Sequence, residues 1–346
     1  GCKDTKFIPN MQIICVFCYF FIPLQQKSAQ LSTFNLKLST RMIGIFDSGY
    51  GGLTILSKIR QVLPEYSYLY LGDNARAPYG TRSFDVIYEY TLQAVNHLHQ
   101  QGCDLIILAC NTASAKALRT IQQRNINPDV LRVLGVIRPT VEVIPQRTHT
   151  KHIGVLATPG TVASESYVIE LLKQDPTLVI TQQACPMWVP LIESGEHLSN
   201  GANYFVEKYL TELLTRDPLI DTIILGCTHY PLLQPKIQEF LTHHSTGNTP
   251  NIQLVSQGEI VARSLTDYLQ RHPDIAQRAL ETKINTRNHI LNNCELINGN
   301  QQTLNNCDPQ LSNSKFLTTE SAEKFCNSAS VFLSEQIQAH HIELLA

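Results

Sequence analysis

Two segments of this chain occur twice, in the same order and at nearly the same spacing. IGIFDSGYGG (43–52) is echoed by IGVLATPGTV (153–162), and LIILACNTA (105–113) is echoed by TIILGCTHY (222–230). The second copies lie 110 and 117 residues after the first ones. Solenoid repeats have periods of roughly 20–50 residues, so a repeat of this length is of a different kind. It predicts two similar lobes that face each other across a cleft.

Apolar strand-like runs alternate with helical segments from Met42 onward. The predicted order is strand 42–47, helix 53–62, strand 66–72, helix 84–101, strand 105–109, helix 114–124 and strand 130–135, and helices are also predicted over 259–271 and 321–335. Such alternation is typical of a parallel sheet with helices on both faces. The predicted fold class is therefore α/β, with two doubly wound parallel-sheet lobes related by pseudo-symmetry and the active site in the cleft between them.

The lobes are assigned from the positions of the repeat copies. We place 42–138 and 251–335 in the first lobe and 139–250 in the second. Residues 284–314 are rich in Asn, Gln and Ser and are predicted to be an insertion. Residues 336–346 are predicted to be a tail, and residues 1–41 an extension outside the core, so that the working protein begins near Met42.

Charge and hydropathy argue against two classes of partner. The 346 residues carry a formal net charge of −2 and no run of Lys and Arg, so we expect no direct binding to nucleic acid. The apolar run 11–24 is shorter than the ~20 residues of a typical membrane span. It resembles the apolar part of a signal peptide, but no small-residue cleavage site follows closely. We therefore expect a cytoplasmic protein without a membrane anchor.

The ten cysteines are spread unevenly along the chain and form no compact disulfide framework. Cys110 and Cys227 differ from the others because they end equivalent strands in the two copies of the repeat. Ligands of open parallel sheets bind outside the carboxyl ends of the strands. The following helix and its backbone N–H groups are expected to lower the pKa of each thiol. Cys103, Cys185 and Cys326 are instead interpreted as buried apolar residues.

Paired thiols on two similar lobes suit a reaction that must work in both directions. A racemase removes the α-proton from one face of an amino acid and returns a proton to the other face. It therefore needs an acid/base group on each side of the substrate, one as thiolate and one as thiol in each turnover. Hydrogen-bond donors around the substrate carboxylate would help to stabilise the developing carbanion.

Six motifs carry a family resemblance: GIFDSGYGGLT, GDNARAPYG, ACNTAS, GVIRPT, LIESGE and GCTHYPLL. Together they resemble glutamate racemases of the aspartate/glutamate racemase superfamily, from about Met42 to Leu269 and again, more weakly, over 316–333. The resemblance implies an enzyme, an isomerase that converts L-glutamate to D-glutamate for peptidoglycan, in cell wall biogenesis and the maintenance of cell shape. It implies no cofactor, and it suggests a cell-wall precursor as an activator and a homodimer as the assembly.

The resemblance also implies roles for individual residues. Cys110 and Cys227 match the two acid/base thiols, with Asp47 near the first and Glu193 and His229 assisting the second. The matching substrate-binding positions are Asp47, Ser48, Tyr79, Gly80, Asn111, Thr112, Thr228 and His229. Hydroxyls, an amide and backbone N–H groups suit the carboxylate and ammonium of an amino acid.

Each assisting residue also has a purely structural interpretation. Asp47 could be a helix N-cap, Glu193 a solvated loop residue, Tyr79-Gly80 a turn and His229 a core histidine with a satisfied hydrogen bond. Gln257 stands where the family usually has an acidic or small residue, and no function is predicted for it.

Other functions stay open at the level of the sequence. The first alternative is a sister enzyme: an aspartate or hydantoin racemase, or a decarboxylase, although a decarboxylase needs only one proton donor. The second is a regulatory binding protein, for example one that inhibits DNA gyrase, which would keep the cleft without turnover. The sequence has no lysine in a convincing strand-end position, which disfavours pyridoxal phosphate. It has no His/Asp/Glu cluster with metal-ligand spacing, which disfavours metal ions.

Overall fold

The computed structural model describes residues 41–244, 251–280 and 313–344. The predicted extension at 1–41 and insertion at 284–314 fall almost wholly outside these ranges. No helix within them is long and apolar enough to cross a membrane.

Ten strands in the described part of the chain form two separate sheets. In chain order they are β1 (Ile43–Asp47), β2 (Tyr68–Gly72), β3 (Leu105–Leu108), β4 (Arg132–Gly135), β5 (His152–Ala157), β6 (Val179–Ala184), β7 (Thr222–Gly226), β8 (Gln253–Val255), β9 (Ser314–Thr318) and β10 (Ala339–His341). The first sheet has the order β10-β9-β2-β1-β3-β4 and the second β6-β5-β7-β8. All pairs within both sheets are parallel.

The helices connect these strands. They are α1 (Gly52–Val62), α2 (Phe84–Gln100), α3 (Asn111–Lys116), α4 (Leu118–Arg124), α5 (Ile137–Glu142), α6 (Pro159–Ala163), α7 (Ser166–Gln174), α8 (Trp188–Glu193), α9 (Asn200–Arg216), α10 (Gln234–His244), α11 (Gly258–Arg271), α12 (described over 273–280) and α13 (Ala322–Leu333). Short 3₁₀ turns occur at Asn74–Arg76, Tyr79–Thr81, Glu196–Leu198 and Tyr230–Leu233.

Burial on both faces explains why the central strands are apolar throughout. Every residue of β1, β2, β3 and β7 is buried. In the first lobe α1, α11 and α13 pack on one face of the sheet and α2, α3 and α4 on the other. In the second lobe α8, α9 and α10 cover one face and α5 and α7 the other. The predicted pair of doubly wound lobes is confirmed.

The repeat corresponds to matching strand orders. In the first sheet the order β2-β1-β3-β4 repeats as β6-β5-β7-β8 in the second. The copies that begin at Ile43 and Ile153 form β1 and β5, and those that begin at Leu105 and Thr222 form β3 and β7. Cys110 and Cys227 therefore follow equivalent strands of the two lobes.

Three details differ from the sequence prediction. β8 pairs with β7 in the second sheet, although residues from 251 onward were assigned to the first lobe. β10 pairs with β9, so the predicted tail contains an edge strand of the first sheet. The helix predicted over 114–124 is two helices, α3 and α4, separated at Ala117. β8 and β10 have three residues each and no apolar alternation, so the neighbouring strand rather than their own sequence determines their conformation.

Candidate active site

Two strand ends bring Ser48 beside Cys110. β1 and β3 are neighbours in the first sheet, so the residues that follow them emerge at the same edge. The Oγ of Ser48 lies 3.3 Å from the Sγ of Cys110, and both side chains are buried. Cys110 also caps α3, where its sulfur accepts a hydrogen bond of 3.5 Å from the backbone N–H of Ala113.

The pKa of Cys110 is shifted in the direction opposite to the sequence prediction. Burial and the nearby Asp47 carboxylate raise it to about 12. The hydrogen bonds from Ser48 and Ala113 lower it, as expected for a thiol at a helix N-terminus, but they do not compensate for desolvation. The predicted lowering is therefore wrong for Cys110, which is a thiol at neutral pH.

Cys227 begins a relay of three side chains in the second lobe. Its Sγ lies 3.8 Å from Nδ1 of His229, whose Nε2 lies 2.9 Å from Oε1 of Glu193 at the end of α8. Burial disfavours the imidazolium, but the hydrogen bonds to Cys227 and Glu193 outweigh it and hold the pKa of His229 well above its ordinary value. His229 is thus a buried cation between a sulfur and a carboxylate.

Asp47 contributes a buried carboxylate that is only partly satisfied. It is 1% exposed, and its Oδ2 accepts a hydrogen bond of 3.0 Å from the backbone N–H of Gly49. Its Oδ1 is buried and has no hydrogen-bond partner in the part of the chain that the structure describes. Burial raises the pKa of Asp47, and the positive charge of His229 opposes that shift. Asp47 does not cap a helix through its side chain, since Gly51 is the N-cap of α1.

The turn between β1 and α1 joins the two cysteine segments. A β-carbon on Gly51 would lie 2.3 Å from Nδ1 of His229 and 2.4 Å from Oγ1 of Thr228. The hydroxyl of Thr54 donates to the backbone carbonyl of Thr228 at 3.0 Å. The start of α1 therefore touches the segment that follows Cys227, and only a residue without a side chain fits at position 51.

A second contact between the lobes involves Thr112, two residues after Cys110. The Oγ1 of Thr112 lies 3.0 Å from that of Thr158 and 3.3 Å from that of Thr161. A β-carbon on Gly80 would lie 2.9 Å from Cβ of Thr158. The hydroxyl groups of Thr112 from the first lobe and of Thr158 and Thr161 from the second lobe thus lie within hydrogen-bond distance of one another, and all three residues are buried.

Tyr79 and Asn111 are both engaged by other side chains. The hydroxyl of Tyr79 donates a hydrogen bond to Asp73, and burial raises its pKa. Asn111 accepts from the hydroxyl of Tyr167 at 2.8 Å and donates to Oε1 of Gln257 at 2.6 Å. The structure thus brings together most of the predicted residues, but it turns the hydroxyl of Tyr79 toward Asp73.

Sequence reasoning missed three buried polar residues at this site. Gln257 and Tyr167 hold Asn111, and the unpaired Nδ2 of Asn74 would lie 3.9 Å from a β-carbon on Gly49. Asn74 was visible inside the GDNARAPYG motif. Tyr167 gave no local signal, because it lies in an ordinary amphipathic helix. Gln257 departs from the family pattern, and that departure was the available signal.

Within the described ranges, no group of three or more His, Cys, Asp or Glu side chains is arranged to hold a metal ion. The chemical groups at the site are thiols, carboxylates, an imidazolium, hydroxyls and amides. They can bind an amino acid headgroup and transfer protons.

Comparison with known proteins points to one family. The family model described as Asp/Glu/hydantoin racemase matches residues 53–264. A glutamate racemase of Ruegeria sp. (strain TM1040) is 42% identical over 243 residues, covering 67% of this chain and 87% of that protein. A glutamate racemase of Cereibacter sphaeroides is 41% identical over 254 residues, covering 70% and 90%.

Solved structures agree with the sequence comparison. Glutamate racemase isoform RacE1 from Bacillus anthracis has a TM-score of 0.71 and 31% identity, covering 88% of this chain and 98% of that one. Glutamate racemase from Francisella tularensis, solved in complex with D-glutamate, has a TM-score of 0.69 and 28% identity, with 89% and 99% covered.

Proposed function

The chain belongs to the Asp/Glu/hydantoin racemase family, and on that premise we propose that it is a glutamate racemase that works with two thiols, Cys110 and Cys227. The D-glutamate that it forms would supply peptidoglycan synthesis. One observation carries the two-thiol mechanism: the cysteines follow equivalent strands, β3 and β7, of two lobes whose segments meet at the β1–α1 turn. No observation favours the aspartate racemase, the decarboxylase or the regulatory alternative.

The reaction transfers one proton off the substrate and another onto it. The thiolate of one cysteine accepts the proton from Cα, and the electron pair stays on the substrate as a carbanion next to its carboxylate. The thiol of the other cysteine then donates its proton to the opposite face of Cα. Afterwards the two cysteines have exchanged their protonation states, so the site is ready for the reverse reaction.

The neighbouring residues give the two thiols different assistance. In the resting protein Cys110 is a thiol, because burial and Asp47 oppose its ionisation. The imidazolium of His229 lies beside the sulfur of Cys227 and is itself held by Glu193. The carboxylate of Asp47 can accept a hydrogen bond from the substrate ammonium. The two directions of the reaction are therefore expected to differ in rate.

Exchange of the α-proton in D₂O tests the mechanism. The wild type is expected to exchange the α-proton of both L- and D-glutamate without added cofactor. Cys110→Ala and Cys227→Ala should each slow interconversion by at least about a thousandfold, since each removes an obligatory acid/base group. Cys326→Ala, in α13, is the matched control and should retain activity. Undiminished racemisation in either of the first two variants would overturn the two-thiol mechanism, and faster turnover of aspartate than glutamate would overturn the substrate.

The cell-wall precursor activator and the homodimer stay predictions from the resemblance. Titration of the activity with a nucleotide-linked cell-wall precursor and sedimentation of the purified protein would test them separately.

A further inference from the structure

Three buried side chains form a closed ring of hydrogen bonds beside Cys110. The Nδ2 of Asn111 donates to Oε1 of Gln257 at 2.6 Å, Nε2 of Gln257 donates to the hydroxyl of Tyr167 at 2.9 Å, and that hydroxyl donates to Oδ1 of Asn111 at 2.8 Å. The three residues are at most 2% exposed. Each side chain donates once and accepts once, so the ring is complete without water.

The ring is anchored where the chain passes between the lobes. Val136 directly follows β4 and precedes α5, which packs in the second lobe. Gln257 follows β8 and precedes α11, which packs back in the first lobe. The Nε2 of Gln257 also lies 3.0 Å from Oγ1 of Thr140 and 3.3 Å from the backbone carbonyl of Val136. A single side chain thus bonds the two interlobe connections to each other and to Asn111.

The Val136 carbonyl determines the direction of the ring. If both amides were turned over, the ring itself could still close with all three bonds reversed. The oxygen of Gln257 would then face the Val136 carbonyl, which can only accept. Thr140 could donate to that oxygen only by giving up the hydrogen bond of 2.7 Å that its hydroxyl donates to the same carbonyl. Reversal would therefore keep the ring bonds but replace the donor that faces the Val136 carbonyl with an acceptor, so the observed orientation is preferred.

We propose that Gln257 is a positioning residue for substrate binding. Because it is bonded to the interlobe connection on one side and to Asn111 on the other, it determines where the amide of Asn111 lies and which way its oxygen and nitrogen point. This rests on the proposed function, in which Asn111 contacts glutamate. The ring uses one of the two N–H groups of Asn111 and one lone pair of its oxygen, which leaves the others for a ligand. The position of the interlobe connection and the orientation of this amide are therefore coupled through one side chain.

The first test measures the ring without substrate. In wild-type protein the side-chain amide protons of Asn111, assigned by their loss in Asn111→Ala, should exchange slowly with solvent by NMR. Gln257→Met has a similar size and no amide, and should raise their exchange rate at least about tenfold because the acceptor is lost. Unchanged exchange in Gln257→Met would overturn the proposal, whatever the protein does with glutamate.

The second test separates positioning from stability. Gln257→Met and Tyr167→Phe should each raise KM for both enantiomers about tenfold while kcat changes less. Thr140→Val is the matched control: it removes a buried hydroxyl from the same connection but none of the ring members, so it should lower Tm and leave KM unchanged. In an Asn111→Ala background, Gln257→Met should add less than about a twofold change in KM.

The outcomes distinguish this proposal from the proposed function. Independent, multiplicative effects of Gln257→Met and Asn111→Ala on KM would overturn the positioning role. A KM change in Thr140→Val as large as that in Gln257→Met would also overturn it, since any damage to the connection would then suffice. If the wild type does not turn over glutamate, the proposed function fails, and the amide exchange still decides whether Gln257 orients Asn111.

Discussion

At the scale of single residues, the two thiols of the site sit in different electrostatic surroundings. Cys110 faces a carboxylate and a hydroxyl, whereas Cys227 faces an imidazolium. The sequence predicted the two positions from the repeat. It could not predict the net pKa of Cys110. The hydrogen bond from Ala113 follows from local order in the chain, but the contact with Ser48 spans 62 residues and desolvation depends on tertiary packing.

Substitution of Asp47 and of Ser48 should change the rate at which iodoacetamide alkylates Cys110 in opposite directions. With a pKa of about 12, its alkylation should rise about tenfold per pH unit between pH 8 and 10. Asp47→Asn removes a negative charge that raises the pKa, so alkylation at a given pH should become faster. Ser48→Ala removes a hydrogen bond that lowers the pKa, so alkylation should become slower. Peptide mass spectrometry measures both rates, and a change of the same sign in both variants would contradict this electrostatic account.

The His229–Glu193 pair should make stability depend on pH. The pKa of His229 is raised in the folded protein, so the native state holds its proton more tightly than the unfolded chain does. This contribution is fully present below the unfolded pKa of about 6.5 and is lost as the pH rises through the folded pKa. Glu193→Gln should lower the folded pKa, which an NMR titration of the His229 ring would show. An unchanged titration would mean that Glu193 does not hold the imidazolium.

At the scale of helices and strands, the start of α1 is the element that most tightly constrains the site. Its backbone approaches Thr228 and His229 so closely that position 51 has no room for a side chain. The DSGYGG motif was recognisable in the sequence as a strand-to-helix turn. The partner of its glycine was not, because Gly51 and His229 are far apart in the chain and belong to different lobes.

Substitution of this glycine should damage the site more than the fold. Gly51→Ala places a β-carbon 2.3 Å from Nδ1 of His229, so the relay to Cys227 must shift. We expect kcat/KM to fall by at least about a hundredfold, as for loss of a positioned acid/base group. Gly201→Ala, in α9, is the control, since its β-carbon would meet only the Oγ of Ser199 at 3.5 Å. It should leave activity unchanged and alter the free energy of unfolding by less than about 1 kcal/mol.

The edge strand β10 should contribute to stability although its sequence reads as a tail. Ile342 follows it, donates a backbone hydrogen bond of 2.8 Å to Thr318 and packs against the first lobe. Ending the chain after Gln336 exposes the edge of β9 and removes this packing, so we expect a loss of about 2–4 kcal/mol in the free energy of unfolding. His340→Ala, an exposed position on the same strand, should have little effect. Equal unfolding midpoints for the truncated and full chains would refute this role.

At the scale of the whole molecule, the site is shared between two lobes that the chain connects twice. The repeat was sufficient to predict two lobes and their parallel sheets. It did not give the lobe boundary near 251 correctly, because β8 is too short to carry a pattern and joins the second sheet through its neighbour β7. Gln257 was missed for a related reason: its importance arises only where the two connections lie side by side.

Glutamate binding in the cleft should stabilise the protein as a unit. A ligand that binds only the folded state at 100 times its Kd adds about 2.7 kcal/mol to the free energy of unfolding. Thermal unfolding with D- or L-glutamate should therefore show a concentration-dependent rise in Tm, which Asn111→Ala should weaken. An equal rise with aspartate at the same concentration would argue against selectivity for glutamate.

The two connections between the lobes also impose an order on synthesis. The second lobe is a continuous stretch between Val136 and Gln257, whereas the sheet of the first lobe needs β9 and β10 from near the other end of the chain. On the ribosome, the inserted lobe can thus be complete while its host still lacks two strands. Both cysteines have been translated by then, yet the first lobe, in which Cys110 is buried, is unfinished. A chain released prematurely would carry both thiols without the folded enclosure that raises the pKa of Cys110.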